Sequence, residues 1–367
     1  MTRYLTFLPL LTALLFCIGL MMVFNTTSAE IIDQELSTNP YSALIKQLSF
    51  ALFGFLLCFL IWRSQVDHLF ESSNTLFWGG VVLLLLVYFP GIGHKINGAN
   101  RWVGLKPFVF QPSEFMKVIL PLYTLHFLSH SGRIDFNLFL RLVARLSVPL
   151  LLILLEPDNG TTAMLILAIC ALFFLTKIPV RYWALPLFSV ALIGGAIGAQ
   201  MTHVTDRIRV YLNPELDLLG RGHQPYQAKI AAGSGQLFGR GLGESLQKLN
   251  YLPEARSDYI AAIYAEEFGF LGMLFLIVIF MMISFLGFTI GSFAKDENAS
   301  CLAHILTFTI AIQGFVNLGV VSGLLPSKGT NLPFFSQGGS SLVANMIALT
   351  IIIKIGKEAW IKKRKLS

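Results

Sequence analysis

A chain of 367 residues that is 55% hydrophobic and only 13% charged has too little polar surface to face water as a globular domain. Its 27 Lys and Arg against 20 Asp and Glu leave a net charge of +7, spread between long apolar runs. The composition excludes a soluble enzyme and leaves an all-α polytopic membrane protein, one domain over 1–367, with no nucleic-acid partner expected.

The first apolar run, Leu5–Phe24, follows Arg3 and precedes "TSA", which imitates a signal peptide. Its core of about twenty residues exceeds a signal h-region and is long enough to span, so it is read as a first membrane helix that stays. Runs at Leu44–Trp62, Thr75–Phe89, Phe115–Leu128, Leu142–Leu155, Thr162–Lys177 and Trp183–Met201 follow. The last three are Tyr259–Gly291, Leu302–Leu325 and Ser341–Ile355, which makes ten. The fourth and fifth are short and carry charge, while the eighth is long enough to tilt or to project. A long loop, 202–258, separates the seventh and eighth, and a basic tail, 356–367, ends the chain.

With the amino terminus in the cytoplasm, Arg63, Arg133, Arg141, Arg145, Lys177, Arg181 and Lys295 lie inside. The tail with "KKRK" at Lys362–Lys365 joins them, as the positive-inside rule requires, and the 202–258 loop is then extracytoplasmic. Long loops translocate largely regardless of charge, so the cations of 202–258 carry little message. The shorter outer loop 90–113 is different: Lys95, Arg101 and Lys106 gather there and point to an anionic ligand, most simply a phosphate or pyrophosphate. Gly and Pro also collect in the outer loops, where irregular backbone near a membrane lines a cavity. No internal repeat is visible, and no mirrored pair of broken helices of the transporter kind. Cys17, Cys58, Cys170 and Cys301 each sit alone in an apolar run and are read as packing residues.

Several polar groups sit where a membrane helix tolerates them poorly. Glu114 and Lys117, three apart, share a helix face and either neutralise each other or line a polar cavity. Trp102 is read as an interfacial anchor. In "LLEPDNGTT", Glu156 and Asp158 oppose the dipole at a helix carboxyl end, so a cation faces them: a Lys or Arg of another loop, or a divalent metal shared with a substrate. The glycines of "GSGQLFGRGLGESLQKLN" lack the ending of a phosphate-binding loop and instead suit close packing. His126 and His130 lack a third metal ligand. Asp258 stands at the outer mouth of the eighth run, as a helix cap or as a site residue. Glu266 and Glu267 lie about two turns further in, where a carboxylate costs roughly 2.5–3.5 kcal/mol, so at least one meets a partner in the bundle. One base near a hydroxyl, with cations or a metal at a leaving pyrophosphate, is what a glycosyl transfer needs.

Four stretches, "NGANRWVGL…QPSEFMK", "EPDNGTT", "AKIAAGSGQLFGRGLGESLQKLNYLPEARSDYIAAIYAEEFGFLG" and "NLGVVSGLLPSKGTNLPFFSQGGSSL", resemble the SEDS family (shape, elongation, division, sporulation). "QKLNYLPEA" and "LLPSKG" resemble its division branch more than its elongation branch. The resemblance implies ten membrane helices with both termini cytoplasmic. It implies polymerisation of lipid II into glycan strands outside the bacterial cytoplasmic membrane, at the division septum. It also implies a class B penicillin-binding protein and other divisome membrane proteins as partners, besides membrane lipids. The family's essential carboxylate falls on Asp258. Substrate-binding roles fall on Arg101, Glu114, Lys117 and Asp158, and Lys328 is taken with them as a division-type cation. A divalent metal, Mg²⁺ or Mn²⁺, held mainly by substrate phosphates is expected, with no metal ligands assigned and no organic cofactor. Arg256 and Ser257 stand where the family commonly has His-Thr, and Gln337 where it has Tyr, which removes an imidazole and a phenol from consideration. The competing readings are a lipid II flippase, a non-catalytic division scaffold and an elongation-type polymerase.

Overall fold

The structure is a computed structural model that describes residues 2–33, 39–96, 99–105, 108–132, 134–200, 206, 209–220, 222–249, 252, 254–326 and 329–364. Lys106, Arg133, Arg207, Arg221, Lys328 and Lys365 lie outside the described residues, so the expectation for Lys328 has no structural counterpart.

Helices α1 Thr2–Asp33, α2 Ser42–Arg63 and α3 Val66–Leu86 lead into three short strands, β1 Gly93–Ile96, β2 Ala99–Leu105 and β3 Phe108–Phe110. Then come α4 Pro112–Ser129, α5 Phe136–Leu155, α6 Asn159–Leu175 and α7 Val180–Gln200. The 202–258 loop holds a 3₁₀ turn, Pro214–Asp217, and α8 His223–Ser234; α9 Ile260–Ser292, α10 Glu297–Val321 and α11 Gly339–Arg364 complete the chain. The predicted apolar runs fall on helices. Among the described residues seven of these, α1, α2, α3, α5, α9, α10 and α11, are long and apolar enough to cross a membrane, while α6 is apolar but only 17 residues long. Asp135, Asp158 and Asp296 start α5, α6 and α10 by accepting the Leu138, Thr161 and Ala299 amides, and Pro112 opens α4 where no amide partner is needed.

The strands correct the all-α expectation. They form one antiparallel sheet in the order β1-β2-β3, with Gly93 opposite Val103 and Val103 opposite Phe110. Backbone in a glycine-rich outer loop must still satisfy its amides and carbonyls, and pairing with itself is the local way to do so.

Two buried clusters fill the bundle. One holds α3, α5 and α6 through Phe77, Leu84, Phe139, Leu146 and Phe173; the other holds α1, α9, α10 and α11 through Met22, Ile263, Ile283, Leu306 and Ile351. Helix α4 is the wall between them. Its Met116, Leu120 and Tyr123 enter the first cluster, and its Val118, Leu122 and Leu125 the second. Each set follows i, i+4, i+7 spacing, so both faces of α4 are core. Large apolar side chains such as Leu52, Phe55, Met281 and Phe285 point outward, as a lipid-facing surface requires.

The 33-residue α9 is broken at Gly269, whose φ of 65° and ψ of −163° suit glycine alone. A loop inserts there: the Arg240 and Gly241 amides donate to the Glu266 and Glu267 carbonyls, and Phe270 and Leu271 donate to Gln236 and Leu237. Both acids of this turn find partners. Glu266 accepts from Ser245 Oγ (2.6 Å) and the Leu246 and Gln247 amides, with Arg240 Nε at 3.6 Å. Glu267 accepts from Lys248 Nζ (3.0 Å) and from Asn25 Nδ2 of α1. The pair therefore clasps the inserted loop to the helix, which accounts for two carboxylates in an apolar run.

Candidate active site

Arg101 lies on β2, the central strand, and reaches the carboxyl end of α5. Its Nε donates to the Glu156 carbonyl (3.0 Å) and its Nη2 to the Pro157 carbonyl (2.7 Å), while Nη1 stands 3.9 Å from Asp158 Oδ1. A loop arginine is thus the cation that this helix end demanded. Asp158 is buried and committed: Oδ1 accepts the Thr161 amide and Oδ2 accepts Gln111 Nε2 at 3.0 Å. Glu156 is fully buried, and neither carboxyl oxygen has a partner. Burial first, and then the neighbouring Asp158, push it up to about 8 against the pull of Arg101, so it is mostly neutral at pH 7.

On α4, Lys117 Nζ donates to Glu114 Oε2 (2.8 Å) and Gln313 Oε1 (3.1 Å), with both charged side chains buried. Gln313 passes the network on, donating to the Asn331 carbonyl and Ser341 Oγ. The Gln111 amide, at the mouth of α4, donates to Ser340 Oγ. A polar seam therefore runs between α4, α10 and the start of α11.

Asp258 stands just before α9, with a partly exposed edge but set deep among protein atoms. Desolvation, then Glu254, raise it to about 7; Asp158 and Glu114 add to the rise and Arg101 opposes it. It therefore shares one electrostatic neighbourhood with the residues of β2, α4 and the α5–α6 turn. A side chain at Gly329 would begin 3.0 Å from Asp258 Oδ2, so the loop before α11 closes against the carboxylate.

Beside this cluster a groove of about 730 Å³ opens between α2, α3, α4 and α11, lined by Phe50, Phe53, Leu83, Phe110, Phe115 and Val343. Ser340 joins the two regions, since it lines the groove and also accepts from Gln111, whose side chain holds Asp158. An apolar trough thus lies beside a charged cluster, joined to it through Ser340 and Gln111. Among the described residues no three acids, histidines or cysteines converge into a metal cage, and no hydrogen bond reaches the Asp258 carboxylate. An ion held mostly by phosphate oxygens needs at most one or two carboxylates, and the residues present fit that arrangement.

A family model described as a cell cycle protein, that of FtsW, RodA and SpoVE, matches residues 5–360. The chain belongs to this family. Relatives named probable peptidoglycan glycosyltransferase FtsW are 35% identical in Legionella pneumophila, over 94% of this chain and 88% of theirs, and in Nitrosomonas europaea, over 96% and 93%. Among solved structures, a chain of a peptidoglycan synthase complex that coordinates polymerization and crosslinking has a TM-score of 0.77 at 24% identity, covering 96% of this chain and 97% of that one. The rod shape determining protein RodA of Thermus thermophilus has a TM-score of 0.69 at 24% identity, covering 96% of each chain. These structures share the fold.

In this member of the FtsW/RodA/SpoVE family, the sequence motifs converge in space: Arg101, Glu114, Asp158 and Asp258 influence one another, and Lys117 joins through Glu114. Of the alternatives open for Glu114 and Lys117, the pair does neutralise itself, inside the bundle rather than at its surface. His126 and His130 lie with ring centroids 4.2 Å apart and planes tilted at 45°, at the end of α4 far from this cluster. Gln111, Gln313, Asn317 and Ser340 went unnoticed in the sequence. Gln313 is a lone polar residue inside an apolar run, whereas Gln111, Asn317 and Ser340 lie in stretches that carry the family resemblance without standing out there from their polar or apolar neighbours.

Proposed function

We propose that this chain is a peptidoglycan glycosyltransferase of the division type, which polymerises lipid II into glycan strands at the outer face of the bacterial cytoplasmic membrane. Ten membrane helices with both termini in the cytoplasm, and work at the septum, belong to the proposal. So do a class B penicillin-binding protein and other divisome membrane proteins as partners. One observation carries it: the neighbourhood shared by Asp258, Arg101 and Asp158 stands where an apolar groove meets a polar pocket.

The acceptor 4-hydroxyl attacks the donor anomeric carbon while the bond to undecaprenyl pyrophosphate breaks, with inversion. The hydroxyl proton passes to Asp258, for which an acid raised to about 7 is suited, because a base works best with a pKa near the working pH. Help of this kind is worth roughly 10²–10⁴ in rate. Arg101, pinned by two carbonyls and facing Asp158, offers its charge to the departing diphosphate. Glu114 and Lys117 form the floor beneath, neutral as a pair, with the ammonium one hydrogen bond from Gln313. When bound, Mg²⁺ or Mn²⁺, held mainly by the substrate phosphates, would supply further positive charge at the leaving group. Lys328 belongs to the substrate-binding set of the proposal. The prenyl tail enters sideways along the groove, which keeps the reacting sugars at membrane level.

The test is incubation of the purified protein with lipid II in detergent. Glycan strands are expected from the wild type and none from Asp258→Asn. Normal strands from that variant would refute the base, and a wild type that moves lipid II across vesicles without making strands would favour the flippase.

A further inference from the structure

Asn317 is a buried amide in the last turns of α10, 1% exposed. Its Nδ2 donates twice, to the main-chain carbonyl of Asp258 at 2.8 Å and to that of Thr330 at 2.6 Å. Its own Oδ1 is buried without a partner, as is the neighbouring Thr330 hydroxyl. The unsatisfied acceptor costs about 1–3 kcal/mol, which the amide nitrogen offsets by satisfying two main-chain carbonyls that an apolar side chain would leave unpaired. What the amide alone provides is a fixed distance between two loops.

Those loops are the ones that meet at the carboxylate. Thr330 follows Gly329, which abuts Asp258 Oδ2. One turn before Asn317, Gln313 holds Asn331; Asn331 donates to the Gln337 carbonyl, and the Gln337 amide donates back to Arg256. Amides four apart on α10 thus help tie the 329–338 segment to the 254–258 segment, at Asp258 and at Arg256.

We infer that Asn317 is a positioning residue for the Asp258 carboxylate, fixing the Asp258 main chain directly and, through Thr330, holding Gly329 against Oδ2. The inference rests on Asp258 being the base, and a misplacement of about 1 Å at such a group lowers the rate about 100-fold. Among the described residues the charged groups that bear on Asp258 are Glu254, Arg101, Asp158 and Glu114.

Asn317→Leu keeps the branched heavy-atom shape, in a somewhat larger side chain, and removes the Nδ2 donor of both bonds. With lipid II as substrate, purified Asn317→Leu is expected to keep KM within about twofold while kcat falls about 10–100-fold. Its acidic limb moves to lower pH than the wild-type limb, because a loosened Asp258 gains water. Gly329→Ala, which crowds Oδ2 and leaves Asn317 intact, is expected to lower kcat at unchanged KM and serves if the first variant does not fold. An Asn317→Leu enzyme whose remaining activity has the wild-type pH profile, with only its folded fraction reduced, would overturn the inference, as would wild-type kcat in both variants. Normal polymerisation by Asp258→Asn would overturn the base and this inference together, whereas a dead Asp258→Asn beside an unaltered Asn317→Leu overturns this inference alone.

Discussion

Two acids of the pocket hold their protons to higher pH than a solvated carboxyl does. Asp258 goes from 3.8 to about 7, so the fraction able to accept a proton grows as pH rises through 7. Polymerisation should therefore climb between about pH 6 and 8 with an acidic midpoint near 7, measured as initial rate against pH on lipid II; a flat profile over that interval would remove Asp258 from the proton transfer. Glu156 goes from 4.5 to about 8. A raised folded pKa means that the folded state binds more protons than the unfolded state between these values. The contribution is then whole below about 4.5 and is lost as pH rises through about 8. Glu156→Gln, which mimics the neutral acid, should raise the thermal midpoint by a few degrees at pH 9 and change it little at pH 5. Equal shifts at both pH values would mean that Glu156 is charged when folded. Charged residues such as Arg101 on β2 and Asp158 and Asp258 at helix starts are legible in a sequence because each stands out beside an apolar run. The amides that orient them are not, since a lone Asn or Gln in such a run looks like any tolerated core residue.

The broken helix is the element on which the pocket hangs. Gly239 makes the inserted loop possible: at φ +82° a side chain there would begin 2.1 Å from the Glu267 carbonyl. Gly239→Ala should destabilise the protein by about 1–3 kcal/mol in detergent unfolding. Lys248→Ala strands Glu267 in the interior and should cost roughly 3–5 kcal/mol, whereas replacing Lys248 and Glu267 together by Met and Leu should recover most of that loss. A double variant as unstable as Lys248→Ala would show that the clasp is not a charge pair. The break itself was hidden, because "EEFGFLG" continues an apolar run and only the loop that docks on it calls for Gly269. The sheet was hidden for a similar reason: its strands are three to seven residues long, too short for alternation to stand out. Helix α4, by contrast, was legible as an apolar run but not as the wall between two clusters, which only the packing on both of its faces reveals.

Across the whole molecule, the proposed pocket lies among loops that the charge bias assigns to the outside. With Cys17, Cys58, Cys170 and Cys301 replaced, Glu244→Cys in the inserted loop should react with a membrane-impermeant maleimide on intact cells, and Lys295→Cys between α9 and α10 should not. Both sites are exposed, so equal labelling would overturn the orientation. The groove beside the pocket carries a different consequence. Walls of Phe, Leu and Val grip by contact area and have no register to enforce, so a prenyl chain can slide along them without passing through discrete stops. Shorter carriers should then bind in graded steps of about 0.8 kcal/mol per methylene lost, with no threshold length below which turnover vanishes. Such a slot would let the acceptor's prenyl chain, which carries the strand after each transfer, move over to the donor position once the spent carrier has departed.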